Sequence, residues 1–240
     1  MSILLIVDNP KSWPLQIPDV KVVAELWTKL QAGEYSAEIS KLLMAKADMI
    51  HSSLWGGGLI TFVKQAAPRG LFKDNLVFLS VGEQSLQDLK QEMPDGVIVA
   101  PRATPAYFLR PDPEKNPLQK EFVEGMKARF GRYPDYPTYR TYQAFSGLKA
   151  AYEKAIDQGS GRWPKTDDVV KAFEDLTWEV PSGMLTMRAD HQAVHGGIIG
   201  LSKFSPQLGF GIIDRITEFQ GTDLMPPLGV KTPDWIKTLK

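Results

Sequence analysis

No cysteine occurs anywhere in the 240 residues. Disulfides, thiolate metal sites and a cysteine nucleophile are therefore excluded, while the redox compartment stays open. Net charge is missing too: Lys+Arg and Asp+Glu both total 28, so the chain lacks the broad basic field that nucleic acid or an anionic membrane needs. Histidine is scarce, at three residues. No G-x-G-x-x-G, G-x-x-x-x-G-K-[ST] or G-x-S-x-G can be laid on the sequence, which removes the usual signatures of nucleotide cofactors and serine hydrolases. Long apolar runs are absent as well. The start, Met1 to Asp8, has no cationic n-region, and its apolar part is shorter than a signal core, so a buried strand is expected there. What remains is an ordinary composition, 43% hydrophobic, able to bury a sizeable core in one large or two small domains.

The most informative stretch runs from Lys46 to Phe78. An apolar run from Met49 to Leu54 ends at Gly56-Gly57-Gly58, after which Leu59, Phe62, Val63 and Ala66 recur at helical spacing. Pro68 and Gly70 stop that helix, and Leu76 to Leu79 opens the next strand. The unit reads as β-loop-α-β. In such sheets ligands sit beyond the carboxyl ends of the strands. The loop Ser52-Ser53-Leu54-Trp55-Gly56 falls there, with hydroxyls, an aromatic face and the free N–H groups of a helix start.

Other segments extend the pattern. Val20 to Trp27 is β-branched and strand-like, and Ser36 opens a helix with Ile39, Leu42 and Leu43 on one face. After Leu79 an amphipathic helix is expected from Ser85 to Glu92, then a strand from Gly96 to Ala100. Strands alternating with helices at this spacing predict an α/β fold with a parallel sheet. Turn formers at Asn9 to Pro14 predict a loop, and prolines 101, 105, 111, 113 and 117 predict a crossover. Leu118, Phe122, Met126 and Phe130 mark a helix stopped by Gly131, and Pro137 starts another that runs to about Asp157. Tyr133, Tyr136, Tyr139, Tyr142 and Phe145 are three apart, so only part of that row can be buried together. A further helix begins at Asp167 or Asp168. Gly183 to Arg188, Gly196 to Phe204 and Gly209 to Phe219 read as antiparallel strands, and the proline-bearing tail reads as a surface strap.

The reactive inventory is thin. His191 and His195 have a zinc-ligand spacing for a helix, but Gly196-Gly197 follow at once and the segment reads as a solvated turn. His51 alternates inside a strand and reads as a core histidine. The triple glycine permits a tight strand-to-helix turn without requiring a phosphate. Trp55 is either a core aromatic or a ligand platform. No cofactor and no metal is expected.

The run from Pro18 to Ala66, the helices from Asn116 to Ala155 and the segment Pro181 to Val194 resemble, in order and spacing, the leucine/isoleucine/valine-binding family of solute receptors for ABC importers. The resemblance implies the type I periplasmic-binding fold: two Rossmann-like lobes joined by three crossovers, closing on an amino acid or related solute, and no enzymatic activity. It implies ligand contacts from Ser53, Leu54, Trp55 and Gly56, an ammonium-binding acid at Gly82-Glu83, and a cleft border at Tyr136 and Tyr139. It implies ABC permease subunits as partners and a periplasmic or extracytoplasmic location. Family members carry nearly a whole lobe before the segment equivalent to Pro18, so the chain reads as the later part of such a receptor. Residues 1–100 form one solute-binding lobe in this reading, 101–180 the crossover and helices of an incomplete second lobe, and 181–240 the returning strands and tail. Helices without their sheet would expose Tyr142, Phe145, Leu148, Tyr152, Val169 and Phe173, which predicts a homo-oligomer. Two other readings stand beside the receptor: a self-associating remnant without solute binding, and an α/β enzyme using Glu83 or His51, which no constellation supports.

Overall fold

The computed structural model describes residues 21–30, 32–101 and 116–238, together with the backbone of 2–7. The loop read at Asn9 to Pro14 and nearly all of the crossover read at Pro101 to Pro117 lie outside the described residues. The chain divides into two compact units. Unit one takes the residues up to about 102 and then 198–217, and unit two takes 112–197 and 218–240.

Unit one is the α/β fold that the alternating pattern predicts. Its strands are β1 (Ser2–Val7), β2 (Lys21–Trp27), β3 (Met49–Ser52), β4 (Leu76–Leu79) and β5 (Ile98–Val99). They pair in the order β2-β1-β3-β4-β5, parallel throughout. β9 (Gly197–Ser205) adds antiparallel to β5, and β10 (Phe210–Phe219) lies beyond it. The first strand thus sits inside the sheet, and the strand order turns back on itself between β1 and β3.

Helices α1 (Ser36–Ala45), α2 (Gly56–Ala66), α3 (Leu71–Asp74) and α4 (Leu86–Leu89) complete this unit. The periodic residues Ile39, Leu42, Leu59, Phe62 and Val63 are fully buried, as are Ile50 of β3 and Leu79 of β4. Each such side chain contributes about 1.5–3 kcal/mol by leaving water. Tyr35 meets Phe62 edge-on at 5.8 Å, and its backbone N–H donates to Gln65 Oε1 at 2.8 Å, tying the start of α1 to α2.

The helix expected from Ser85 to Glu92 is broken. A 3-10 turn at Glu83–Ser85 leads into α4, and a second covers Lys90–Glu92. Lys90 has φ +50 and ψ −123, a backbone conformation that cannot continue an α-helix.

Unit two is built from α5 (Pro117–Phe130), α6 (Tyr136–Gln158), α7 (Thr166–Phe173) and a separate antiparallel sheet. That sheet orders β6 (Thr177–Val180), β7 (Gly183–Met187) and β8 (Ala193–Val194) consecutively. The sequence reading grouped Gly183 to Arg188 with the two later strands. Strand pattern alone carries no information about which sheet a strand joins, and β7 joins the small sheet while β9 and β10 join the large one.

Asn116 caps α5 by accepting from the N–H of Gln119, and Asp135 caps α6 by accepting from Thr138 N–H at 3.2 Å. Small residues Ala151 and Ala155 of α6 let α7 approach with Val169 and Ala172. Trp178, Val180 and Leu185 form a second cluster, with Phe173 edge-on to Trp178 at 5.7 Å. Of the residues expected to be exposed, Phe145 and Leu148 are exposed, whereas Val169 is buried and Phe173 and Tyr152 pack against these clusters. The α6–α7 contact covers them. The tail holds a 3-10 turn at Gly221–Leu224 and α8 (Thr232–Ile236). Arg188 anchors it, donating from Nη1 to Pro226 O at 2.8 Å while pairing with Asp190 at 2.7 Å.

Candidate functional site

In unit one the loops that leave β3 and β4 at their carboxyl ends adjoin each other. Ser80 donates both its N–H and its hydroxyl to Ser52 O, each at 3.1 Å. Ser52 is fully buried, and its hydroxyl accepts from Leu54 N–H at 3.2 Å, which draws the chain into a tight turn. Trp55 is extended, with φ −144 and ψ 165, and serves as the N-cap residue of α2. Gly56 follows at φ +55. A side chain there would have room, since the nearest atom is Gln84 Nε2 at 4.0 Å. The glycine is required by its left-handed backbone and not by crowding.

At Gly82 the reverse holds. Its backbone is ordinary, but a Cβ would stand 2.9 Å from both Leu79 Cβ and Val99 Cγ1. Closeness of the β4 and β5 strand ends excludes any larger residue.

The structure brings Ser53, Leu54, Trp55 and Gly56 together with Gly82 and Glu83 at this end of the sheet. Trp55 is 45% exposed, Ser53 is half-buried, and Leu54 is buried in the core. Glu83 is 2% exposed, the deepest carboxylate among the described residues of the unit. His51 is buried on β3 and tilts against Phe78 at 5.2 Å. Desolvation holds its imidazole below the usual histidine range, so it packs as a neutral ring.

In unit two the candidates at the start of α6 divide. Tyr139 is fully enclosed, with Gln119 Nε2 donating to its hydroxyl at 2.6 Å and Phe122 edge-on at 5.0 Å. It packs the interior of the unit, whereas Tyr136 is half-buried and Phe145 is 70% exposed. A spacing of three lags the helical repeat, so each step rotates the row about 60° around the helix, and the tyrosines drift from interior to surface.

Sequence spacing gives no sign of Arg140, and it places His195 in a solvated turn, whereas His195 is half-buried against Arg140. Arg140 is half-buried and donates from Nη2 to His195 Nε2 at 2.9 Å and from Nη1 to Gln143 Oε1 at 3.4 Å. A guanidinium has only donors, so Nε2 accepts and the imidazole carries its proton on Nδ1, which faces Gly196 O at 3.2 Å. Gln143 Nε2 in turn donates to Ser182 Oγ at 2.9 Å. Desolvation lowers the Arg140 pKa and Tyr136 partly opposes that shift. Among the described residues Arg140 forms no ion pair with a carboxylate. A partly buried cation held by neutral groups is a natural partner for an anion. Nothing in sequence links positions 55 residues apart in this way.

The two histidines with a metal-like spacing face different partners: His191 approaches Glu174 Oε1 at 3.2 Å and His195 approaches Arg140. Among the described residues no group of three metal-ligating side chains occurs, and no helix is long and apolar enough to cross a membrane.

Residues 15–200 match the family model described as periplasmic binding protein, and the chain belongs to that family. Its members are solute receptors of transporters and not enzymes, and the family implies an extracytoplasmic location. Solved structures of the same fold include an amino acid ABC transporter substrate-binding protein from Pseudomonas fluorescens Pf-5, with TM-score 0.68, 18% identity and coverage of 94% of this chain and 60% of that one. A solute-binding protein from Rhodopseudomonas palustris BisB5, in complex with 3,4-dihydroxybenzoic acid, gives TM-score 0.71 and 20% identity over 92% and 60%. The leucine-, isoleucine-, valine-, threonine- and alanine-binding protein from Brucella ovis gives 0.68 and 19% over 95% and 60%. The chain thus spans about 60% of the length of these relatives. No match is found among curated protein sequences.

Proposed function

We propose that the chain is the solute-binding component, or a portion of one, of an ABC importer for small carboxylate-bearing solutes: branched-chain amino acids, related amides or aryl acids. The observation that carries this reading is the Ser53–Gly56 loop of a periplasmic-binding-family chain, placed at the carboxyl end of β3 beside the point where the strand order reverses. In this reading Trp55 offers a ring face, Ser53 a hydroxyl and Glu83 a counter-charge for an ammonium group. Taken by itself, unit two offers Arg140, with Tyr136 one turn before it, as a separate candidate cation for an anion. Leu54, Gly56 and Gly82 shape and support the groups of unit one, and Tyr139 packs the interior of unit two. ABC permease subunits are the partners.

Thermal-shift screening with leucine, isoleucine, valine, their amides, benzoate and hydroxybenzoates tests the reading, because a ligand bound only by the native state raises Tm. A shift for at least one class is expected. No shift for any of them at millimolar concentration overturns it.

A second reading concerns assembly. Phe130 is 61% exposed, Phe145 70% and Leu148 43%, and a groove of about 710 Å³ runs between Leu118, Phe122, Met126, Phe130 and Tyr142. Apolar surface on this scale favours burial against a second copy. A homo-oligomer is the expected species, checked by light scattering after size exclusion.

A further inference from the structure

The turn from α6 to α7 plays no part in the solute-binding reading, yet it encloses a polar cavity of about 670 Å³. That volume is in the range of small-ligand pockets. Its walls include Gln158, Arg162, Trp163, Lys165, Asp168 and Lys171. Three of these side chains are cationic and one is acidic, and the acid is already engaged, since Asp168 Oδ2 accepts the backbone N–H of Lys165 at 3.0 Å. Among the described residues Arg162, Lys165 and Lys171 form no ion pair. Charge in the chain as a whole balances at 28 against 28, so three cations converging on one concavity are a local surplus.

An aromatic face completes the wall. Trp163 is 77% exposed, but its ring is not loose: it lies 5.2 Å from that of Tyr152 with 35° between the planes. The turn beneath it is closed by the N–H of Gly161 donating to Ile156 O at 2.9 Å and that of Arg162 to Gly159 O at 3.3 Å. Arg162 and Trp163 are therefore presented by a hydrogen-bonded turn whose backbone is ordered before a ligand arrives.

We propose that this cavity binds a planar ring carrying an anionic group, a carboxylate or a phosphate. The ring lies on Trp163, and the anion meets Arg162 and Lys171, with Gln158 able to donate an amide N–H. The inference is independent of the loop at Trp55.

Calorimetric titration of the full chain at low salt tests it with four probes. 4-Hydroxybenzoate and AMP supply ring and anion, adenosine supplies the ring alone, and inorganic phosphate supplies the anion alone. At least one of the first two is expected to bind, and the better of them at least about tenfold more tightly than adenosine or phosphate; which of the two is preferred identifies the anion. Arg162→Gln and Lys171→Gln are each expected to weaken that binding about tenfold, and Trp163→Ala by a similar factor, all with unchanged circular dichroism and Tm. Trp55→Ala is expected to leave unchanged the component of binding that depends on Arg162 and Lys171. The proposal is overturned if neither ring-bearing anion binds at millimolar concentration, or if adenosine or phosphate binds as tightly as the better of them. It is equally overturned by binding that survives Arg162→Gln and Lys171→Gln but disappears in Trp55→Ala, a result that assigns the ligand to the unit-one loop.

Discussion

Three residues near the β3 and β4 strand ends have separable roles, and each makes its own prediction. Trp55 is nearly half exposed, so Trp55→Ala should change stability by less than about 0.5 kcal/mol. Solute binding should weaken by about 1–3 kcal/mol if the ring is a platform; denaturant unfolding and calorimetry on one preparation distinguish the two effects. Gly82→Ala places a methyl 2.9 Å from Leu79 Cβ and Val99 Cγ1. Overpacking of this kind costs about 1–3 kcal/mol, which a lowered urea midpoint at unchanged slope would report. His51 titrates below its ordinary value because burial penalises the imidazolium. The unfolded chain therefore takes up a proton more readily than the folded one below about pH 6.5. The contribution of neutral His51 is complete above that pH and is lost as pH falls toward the lowered folded value. Tm should drop between about pH 7 and pH 5, and drop less in His51→Gln.

Among the elements, α6 depends most on how its end is capped. Asp135 accepts both the N–H and the hydroxyl of Thr138, and Pro137 sits in the first turn. Asp135→Ala should cost about 1 kcal/mol, while Asp135→Asn, which retains an acceptor, should cost less. Chemical denaturation of both variants checks the order. Sequence spacing showed that the row from Tyr133 to Phe145 cannot be buried as a whole, but the choice of Tyr139 was made by Gln119 and Phe122 on α5. The broken helix between Glu83 and Glu92 has a comparable cause. Its apolar spacing is helical and Leu86 and Leu89 are buried, yet the backbone at Lys90, with φ +50 and ψ −123, closes the α-helix there.

At the scale of the whole molecule, chain connectivity and apolar exposure are the features with consequences. Residues 198–217 return to unit one, and 218–240 belong to unit two. If the exposed residues Phe145 and Leu148 drive self-association, Phe145→Glu combined with Leu148→Lys should shift the light-scattering mass toward monomer while preserving the circular dichroism spectrum. An unchanged mass would remove this helix face from the interface.

The sequence alone determined most elements of unit one and the place of the Ser52–Gly56 loop, because each is written in local terms. Period-two and period-3.6 apolar spacing, Pro68 and Gly70 after a helix and a triple glycine after a strand need no distant partner to be read. Tertiary structure decided the rest. Only pairing assigns β7 to the small sheet and β9 to the large one. Only packing turns Tyr139 inward and leaves Trp55 half exposed. The meeting of Arg140 with His195, and of Arg162 with Lys171 around one cavity, depends on chain reversals whose geometry is set by backbone hydrogen bonds and side-chain volumes, and these leave no periodic trace in the order of residues.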